Sequence, residues 1–240
     1  MLLRLQNSVQ SMTSLVHEQE RVANNLANAN TIGYKRDRTF VQALEEHLDA
    51  ESAPRSDRSS TQWASMDQGA LEATGNPLDL AIKGEGFFVL SSEETGDLRY
   101  TRAGRFTLDS EGLLRDPLGY QVEGASGPLQ FPALVETVEV AEDGTVRADG
   151  NPIGRLRLVR FEDTMSLQRL DNAAFTAPGV DPIDVENPTI AQGHLETSNV
   201  DPLSEMSEMI THFRLFETQQ KLLQSTDQIL GSVTRELGKF

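Results

Sequence analysis

The first apolar pattern in the chain runs along its N-terminal 29 residues. Its members lie alternately three and four residues apart, which is the spacing of an a/d heptad seam on a helix that packs against other helices. We therefore predict a helix over residues 2–29, about 42 Å long at 1.5 Å per residue. Its partner must be the C-terminus, another copy or a related protein. The stripe consists of Leu2, Leu5, Val9, Met12, Val16, Gln19, Ala23 and Leu26, of which only Gln19 is polar.

A second helix is predicted near the C-terminus, over residues 202–237. Asp201 is a suitable N-cap, Pro202 suits the first helical position, and Glu205 favours the positive end of the helix dipole. Polar residues interrupt its apolar face, as in a seam whose register must be specified. The assembly-interface residues predicted from both stripes are Leu5, Val9, Met12, Val16, Ala23, Leu26, Met206, Met209, Ile210, Phe213, Phe216, Leu223 and Leu230.

The middle of the chain has the pattern of short antiparallel strands. Apolar and polar residues alternate over 78–83, which predicts a half-buried strand, and again over 154–161. Turn residues separate such runs, as in a sandwich or barrel. The predicted fold class is α+β, with long, coiled-coil-like N- and C-terminal helices flanking a central antiparallel β-rich domain. The predicted division is 1–48 for the N-terminal helix and motif, 49–67 for a linker, 68–195 for the β-rich domain and 196–240 for the C-terminal helix.

The segment between the first helix and the β-rich block has two patterns. Phe40, Leu44 and Leu48 lie four residues apart, which favours a short helix from residue 36 to about residue 48. Residues 49–66 are rich in Ser, Asp, Arg and Glu and read as an exposed linker. Trp63, the only tryptophan, lies in this linker, and we expect it to pack onto the nearest domain.

Composition narrows the possible functions. Asp and Glu number 37 against 21 Lys and Arg, a net charge of -16, which disfavours binding to nucleic acid or an anionic membrane. There is no cysteine, so disulfides and cysteine-ligated metals are excluded. We expect no membrane span, and the N-terminus lacks the pattern of a cleaved signal peptide. By themselves these features suggest a cytoplasmic protein.

No catalytic, metal-binding or cofactor-binding residue is predicted. The four histidines, at 17, 47, 194 and 212, show no ligand spacing. Gly84-x-Gly86 lacks the third glycine and the following helix of a dinucleotide loop. Asp109-x-Glu111-Gly112 and Asp143-Gly144 lack the twelve-residue spacing of a calcium loop. We therefore expect neither a cofactor nor enzymatic activity.

Three stretches of the sequence resemble one protein family. Residues 24–35, Asn-Asn-Leu-Ala-Asn-x-x-Thr-x-Gly-Tyr-Lys, resemble the signature of bacterial flagellar rod and hook proteins. Residues 68–88 with 100–106 resemble the central motif of that family, and residues 193–200 resemble the entry to its C-terminal helix. The motif residues are Asn24, Asn25, Leu26, Asn28, Thr31, Gly33, Tyr34, Lys35, Gly75, Asn76, Pro77, Leu78, Asp79, Gly86, Phe87, Phe88, Tyr100, Thr101, Arg102, Gly104, Ser198, Asn199 and Val200.

The resemblance implies a structural subunit of the flagellar basal-body rod that crosses the periplasm. Its terminal helices would assemble with further copies and with other rod subunits into the axial drive shaft of motility. The remaining implied partner is the flagellar export apparatus, through which such proteins leave the cell uncleaved; nucleic acid and a membrane span are not implied.

Two questions stay open at this point. Residues 154–159 and 167–169 resemble the proximal-rod branch of the family more than the distal-rod branch, whereas residues 23–38 and 75–88 suit both. An alternative of another class is a monomeric β-sandwich binding module or hydrolase, which would form a stable monomer with a ligand and not a polymer.

The two helix seams also predict the state of the free subunit. Isolated helices gain most of their stability from packing, and one subunit covers these stripes only in part. The middle block has enough strands to bury its own core. We predict that the dilute monomer is largely disordered up to about residue 30 and beyond about residue 200, and that these ends become ordered on assembly.

Overall fold

The computed structural model describes residues 2–41, 60–93, 95–132, 135–171 and 173–237. Within these ranges, the side chains of residues 2–8, 40, 41, 60–62, 227 and 230–237 lie outside the description. The chain divides into two compact units. One comprises residues 1–27 with 201–240, and the other comprises residues 28–200. The two α-helices found among the described residues belong to the first unit, and the described strands belong to the second.

The first unit is an antiparallel pair of helices, α1 (Leu2–Ala27) and α2 (Pro202–Leu237). Asn25 contacts Glu205 at one end of the pair, and Ser11 contacts Gln219 further along, so the chain directions are opposed. The carboxylate of Asp201 accepts a hydrogen bond from Leu203 N at 3.1 Å. The predicted N-cap is therefore confirmed, whereas α1 ends two residues before the predicted position.

The prediction of long, coiled-coil-like helices is wrong, although an α+β chain with a helix at each end and a β-rich middle fits. Val9 and Val16 of the predicted seam are 56% and 38% exposed, and Ala23 is exposed too. The buried face of α1 contains Val22 and Asn25, each one residue before a predicted position. One residue is about 100° of rotation on a helix, so the predicted stripe is turned partly away from α2.

The second unit contains nineteen strands and one 3-10 helix (Thr164–Ser166) in its described part. The strands are β1 (Asp37–Val41), β2 (Ser60–Ala64), β3 (Leu71–Ala73), β4 (Leu80–Ile82), β5 (Phe87–Ser91), β6 (Leu98–Thr101), β7 (Thr107–Leu108), β8 (Leu114–Arg115), β9 (Gln121–Gly124), β10 (Gly127–Pro128), β11 (Val138–Val140), β12 (Thr145–Ala148), β13 (Asn151–Arg155), β14 (Leu158–Arg160), β15 (Gln168–Arg169), β16 (Ala174–Thr176), β17 (Ile183–Asp184), β18 (Ile190–Gln192) and β19 (His194–Glu196).

The main sheet has ten strands and is antiparallel in its described pairings. Seven strands follow the order β15-β16-β6-β5-β9-β8-β7, β10 pairs with β9, and β14 links β5 to β17. Smaller sheets are β1-β2, β11-β12-β13, β18-β4 and β19-β3. The pair β19-β3 joins the stretch before α2 to the start of the β-rich block, with Leu195 opposite Glu72.

The core lies on both faces of β5. Phe88 and Leu90 belong to one apolar cluster with Phe106 and Ile190, and Phe87 and Val89 belong to another. Successive side chains of a strand point to opposite faces, so a strand covered on both sides is apolar throughout. This explains why residues 87–90 form a continuous apolar run in the sequence.

Three predictions about local structure were wrong. Asp37–Val41 is a strand paired with Ser60–Ala64, so the residues of the predicted short helix and linker that are described form a two-stranded sheet; residues 42–59, with Leu44 and Leu48, lie outside the description. Leu80–Ile82 is buried throughout and not on one face only. The run 154–161 is divided between β13 and β14. Trp63 lies half-buried in β2, with the guanidinium of Arg38 5.9 Å from its ring centre.

Candidate functional site

A buried ion cluster lies where three distant stretches of the chain meet. Lys35 comes from the segment before β1, Arg102 follows β6, and Glu196 ends β19. Lys35 Nζ is 2.6 Å from Glu196 Oε1, and Arg102 Nη1 is 3.2 Å from Glu196 Oε2. The three side chains are each 3% exposed or less. A single carboxylate therefore holds two cations inside the β-rich unit.

Backbone groups add further contacts to this cluster. Gly69 N donates to Glu196 Oε1 at 2.9 Å, and Lys35 Nζ donates to the Asp67 carbonyl at 2.7 Å. The carbonyl of Glu196 accepts from Gly33 N at 2.8 Å. Buried charges are tolerated only when their remaining hydrogen-bonding groups are satisfied. These contacts stabilise the charges of Lys35 and Glu196 and fix residues 67–69 to the cluster, whereas the buried Nε of Arg102 has no hydrogen-bond partner.

Burial is the main influence on the ionisation of both cations. It lowers the pKa of Lys35 and the pKa of Arg102, because a desolvated cation is disfavoured, and the Glu196 carboxylate opposes both shifts. The cluster contains two cations and one anion. Removal of Glu196 would leave two buried like charges, so this carboxylate is the residue on which the cluster depends most.

Asn199 ties the same stretches together beside the cluster. Its Oδ1 accepts from Arg36 N at 2.6 Å, and its Nδ2 donates to the carbonyls of Ser65 and Asp67, both at 2.9 Å. A side-chain amide can accept and donate at once, which an acidic side chain cannot do when ionised. Asn199, a motif residue shortly before α2 in the sequence, therefore connects the backbone of residue 36 to that of residues 65 and 67.

Arg169 holds the beginning of β1 against the main sheet. Its guanidinium lies 4.4 Å from the ring centre of Tyr34 and 4.9 Å from that of Phe175. It also donates to the Lys35 carbonyl and to Asp37 Oδ1, the latter at 2.7 Å. A planar guanidinium between two rings combines stacking with directed hydrogen bonds. Tyr34, at 1% exposure, is thereby held in the fold.

Two motif glycines are required by close backbone contacts. Gly33 has a φ of +68°, and a Cβ atom there would overlap the backbone of Ala103. A Cβ atom at Gly104 would overlap the carbonyl of Leu80. Only glycine permits both the left-handed conformation and such an approach. The N-terminal motif and the central motif are thus in direct backbone contact.

The motif residues of 74–79 form a turn that is also hydrogen-bonded to Gln192 and Gly193. The buried carboxylate of Asp79 accepts from Thr74 Oγ1 at 2.7 Å and from Asn76 Nδ2 at 3.1 Å. Asn76 Oδ1 in turn accepts from Leu78 N. Asx turns of this kind satisfy backbone groups locally. Gly75, Asn76 and Pro77 are exposed, so this part of the predicted motif shapes a turn at the surface.

The other predicted motif residues divide between the two units. Leu26 is half-buried and Asn24 exposed on α1, and Asn25 is buried there, whereas Asn28, Thr31 and Ser198 are half-buried in the β-rich unit. The buried members of the β-rich unit are Gly86, Phe87, Phe88, Tyr100, Thr101 and Val200. Phe88 and Phe106 pack edge to face at 5.2 Å between ring centres, and Tyr100 and Phe161 at 4.8 Å. These residues build the core.

The predicted assembly residues have two kinds of environment in the helix pair. Val9, Val16, Ala23, Met206, Ile210 and Phe213 are exposed. Met12, Leu26, Met209, Phe216 and Leu223 are half-buried. The side chains of Leu5 and Leu230 lie outside the description. The helices are in contact, but they leave about half of these predicted residues in solvent.

Three exposed apolar residues of α2 share one face of that helix, and Leu215, Leu222 and Ile229 are exposed on the opposite side. Met206, Ile210 and Phe213 follow the i, i+4, i+7 spacing and are 50%, 53% and 50% exposed. Ile210 and Phe213 also line a groove with Gln19 and Met209. Exposed apolar residues that lie together mark a surface for contact with another molecule, whereas single ones do not.

The side chains between the two helices are largely polar. Arg21 donates to Glu18 and to Glu208, at 2.9 Å and 3.3 Å, and Asn25 donates to Glu205 at 3.3 Å. Hydrogen bonds contribute only about 0.5–1.5 kcal/mol each to net stability. The helix pair therefore buries polar groups beside Val22 and leaves several apolar residues of α2 exposed.

The buried cluster holds distant segments of the chain together. Both oxygens of Glu196 already contact Lys35, Arg102 or Gly69.

Among the described residues, no group of three or more acidic or histidine side chains could hold a metal ion. No helix in the described ranges is long and apolar enough to cross a membrane.

We call the buried ion cluster, together with the contacts of Asn199 and Arg169 beside it, the junction. Sequence reasoning missed four residues of this junction, namely Glu196, Asp67, Gly69 and Arg169. Glu196 lies in the quoted stretch 193–200, yet a glutamate in an alternating strand looks like a solvent-facing residue. Arg169 lies in a stretch noted only for its resemblance to one branch of the family. The available signal was that Lys35, Arg102 and Glu196 all lie in stretches that resemble the family.

The fold and the junction define a class of protein. It is a β-rich unit closed by a buried ion cluster, with a helix at each end of the chain and apolar residues exposed on that helix pair. The contacts of the junction pack distant segments of the chain against one another.

Three family models match separate parts of the chain. They are described as flagella basal body rod protein, over residues 5–35; flagellar hook protein FlgE/F/G D1 domain, over residues 81–148; and flagellar basal body rod FlgEFG protein C-terminal, over residues 191–236. The buried cluster takes one residue from each matched range, namely Lys35, Arg102 and Glu196. Arg169 lies between the second and third ranges.

Similar proteins match over nearly the whole chain. The flagellar basal-body rod protein FlgF of Caulobacter vibrioides is 34% identical over 95% of this chain and 94% of its own length. FlgF of Rhizobium meliloti is 33% identical over 96% of both chains, and the rod protein FlgG of Bacillus subtilis is 30% identical over 96% of this chain and 97% of its own. This chain belongs to the flagellar basal-body rod protein family.

Proposed function

We propose that this protein is a structural subunit of the bacterial flagellar basal-body rod, of the proximal-rod branch represented by FlgF. It assembles with copies of itself and with other rod subunits through its terminal helices, and it contributes to the axial drive shaft. The proposal rests on family membership together with one observation, the apolar face of α2 at Met206, Ile210 and Phe213.

The arrangement of the helix pair supports assembly by these helices. A pair that was complete in the monomer would bury its apolar face and expose its charges. Here Asn25 and Glu205 occupy the buried side, while Ile210 and Phe213 are about half exposed. Burial of apolar surface is the main favourable term in association, about 25 cal/mol per Å². Neighbouring subunits would bury these exposed apolar side chains.

Assignment to the proximal branch is supported by the relatives. FlgF proteins from Caulobacter vibrioides and Rhizobium meliloti are 34% and 33% identical to this chain, and a FlgG protein is 30% identical. The distal-rod branch is the second candidate, because the FlgG relative matches over 96% of the chain. Crosslinking in isolated basal bodies would identify the proteins next to this subunit, and those neighbours would distinguish the two branches.

The same proposal covers activity and location. The relatives are named rod proteins, a structural role, and we propose that this chain likewise has no catalytic function and needs no cofactor. It would leave the cell through the flagellar export apparatus without cleavage and reside in the periplasm-spanning rod.

The assembly role can be tested by placing charge on the apolar face. We expect Ile210→Asp with Phe213→Asp to abolish motility and to remove this subunit from isolated basal bodies, because two charges would be buried in the contact. A control with Thr211→Asp and Thr218→Asp adds the same charge at exposed polar positions on the other side of α2 and should swim. Normal motility of the first variant would contradict assembly through this face.

A further inference from the structure

The excess negative charge of this protein lies almost entirely in the β-rich unit. Residues 28–200 contain 29 acidic and 15 basic residues, a net charge of -14. The helical unit contains eight acidic and six basic residues, a net charge of only -2. The unit that carries the exposed apolar face is thus nearly neutral, and the unit attached to it is strongly acidic.

With two exceptions, the described acidic side chains of the β-rich unit are exposed or half-buried. Among its described residues, Asp79 and Glu196 are the only buried carboxylates. Several of its cations are occupied inside the unit: Lys35 and Arg102 lie in the buried cluster, and four arginines are paired with their own chain. These are Arg99, Arg115, Arg157 and Arg169. Such cations are not available to pair with carboxylates of a neighbouring copy.

We propose that the charge of the β-rich unit opposes association of the helices until salt screens it. The inference rests on the proposed function, because it concerns copies that meet through their terminal helices. Each copy that joins brings a unit of charge -14 towards another of the same charge. The range of that repulsion falls from about 8 Å at 0.15 M salt to about 3 Å at 1 M. Apolar contacts between helices do not weaken in the same way.

The consequence is a threshold of ionic strength for assembly. Below this ionic strength, copies repel one another and stay dispersed. Above it, the repulsion is screened and contacts through the apolar face of α2 drive association. The partner is a second copy of this chain. The device requires no binding site for a particular ion, because screening depends on ionic strength alone.

Charge variants test this inference in the full-length protein. The variant Glu111→Gln, Glu142→Gln, Glu162→Gln, Asp181→Asn neutralises four exposed carboxylates and changes the unit from -14 to -10. Because Coulomb repulsion scales with the product of the charges, it should fall to about half. The opposite variant, Lys83→Gln with Arg147→Gln, changes the unit to -16 and should raise repulsion by about a third.

The measurement is sedimentation velocity at one protein concentration over a series of NaCl concentrations. We expect the wild type to associate as NaCl rises, the four-carboxylate variant to associate at lower NaCl, and the cation variant to require more. Equal midpoints for all three proteins, or association that decreases with salt, would overturn the inference and leave the proposed function standing. Absence of association by all three at every salt concentration would contradict the proposed function itself, and this inference with it.

Discussion

In residues 28–200 the charged side chains Lys35, Arg102 and Glu196 lie inside and are paired, and apolar clusters fill both sides of β5. In the helix pair, the polar contact of Asn25 with Glu205 is buried together with Val22, while Ile210 and Phe213 are about half exposed. The β-rich unit covers its own apolar core and pairs its buried cations, whereas the helix pair leaves apolar surface without cover from its own unit.

The difference has an energetic basis. A buried pair of charges is stable only in a fixed environment, because the loss of one partner leaves the other desolvated. The β-rich unit must therefore fold as a whole. The helix pair is held by polar contacts of small net stability, so it can open or exchange partners at a modest cost.

The largest effect is expected from Glu196→Gln, which leaves Lys35 and Arg102 buried together without their counter-ion. We expect the free energy of unfolding to fall by about 3–5 kcal/mol, measured by chemical denaturation. Lys35→Met is the matched control, because it leaves a neutral Arg102–Glu196 pair and should cost less. Equal losses in the two variants would show that the shared carboxylate is not the centre of the cluster.

A smaller loss is expected from Arg169→Ala, which removes the stacking on Tyr34 and Phe175 and two hydrogen bonds. We expect about 2 kcal/mol, and only partial recovery in Arg169→Lys because lysine lacks the planar fork. The control Arg160→Ala removes an exposed arginine of β14 and should change stability by about 0.5 kcal/mol or less. If both alanine variants behave alike, Arg169 does not hold β1.

The ionisation of Lys35 should give the stability a dependence on pH. Burial lowers the pKa of Lys35 below its ordinary value of 10.5, so between the two values the unfolded chain binds a proton that the folded chain has released. Stability therefore rises with pH in that window. We expect the difference in unfolding free energy between the wild type and Lys35→Met to shift in favour of the wild type as the pH approaches 10.5. A difference that stays constant would contradict a lowered pKa.

The smallest effect is expected on the exposed face of the helices. Ile210→Ala in dilute protein should change the free energy of unfolding by less than about 1 kcal/mol, because Ile210 is 53% exposed. The same substitution at Ile190, which is 1% exposed in the β-rich core, should cost about 2–5 kcal/mol. Similar costs at the two positions would remove the contrast between the units.

The sequence predicted the positions of both helices because their caps and apolar stripes are local features. It could not predict which stripe is buried. An apolar seam has the same spacing whether it is covered by its own chain or by a neighbour, and Val16 and Ala23 are exposed where Leu15 is half-buried and Val22 is buried.

The junction was harder to foresee for another reason. The motif residues Lys35, Arg102 and Asn199 were identified by resemblance, but their contacts join positions that are far apart in the chain. Glu196 is buried because β19 pairs with β3 and brings Gly69 against its carboxylate. Pairing of distant strands leaves no signal in the local alternation of apolar and polar residues.

Hydrogen exchange of the full-length protein, followed segment by segment, tests the central claim most directly. In dilute protein at low salt, we expect the amides of α1 and α2 to exchange much faster than those of β5 and β19, since the helices lack their assembly partners. On association, the helices should become protected while the β-rich unit changes little. Helices as protected as β5 in dilute, unassociated protein would contradict the claim that they are completed by other subunits.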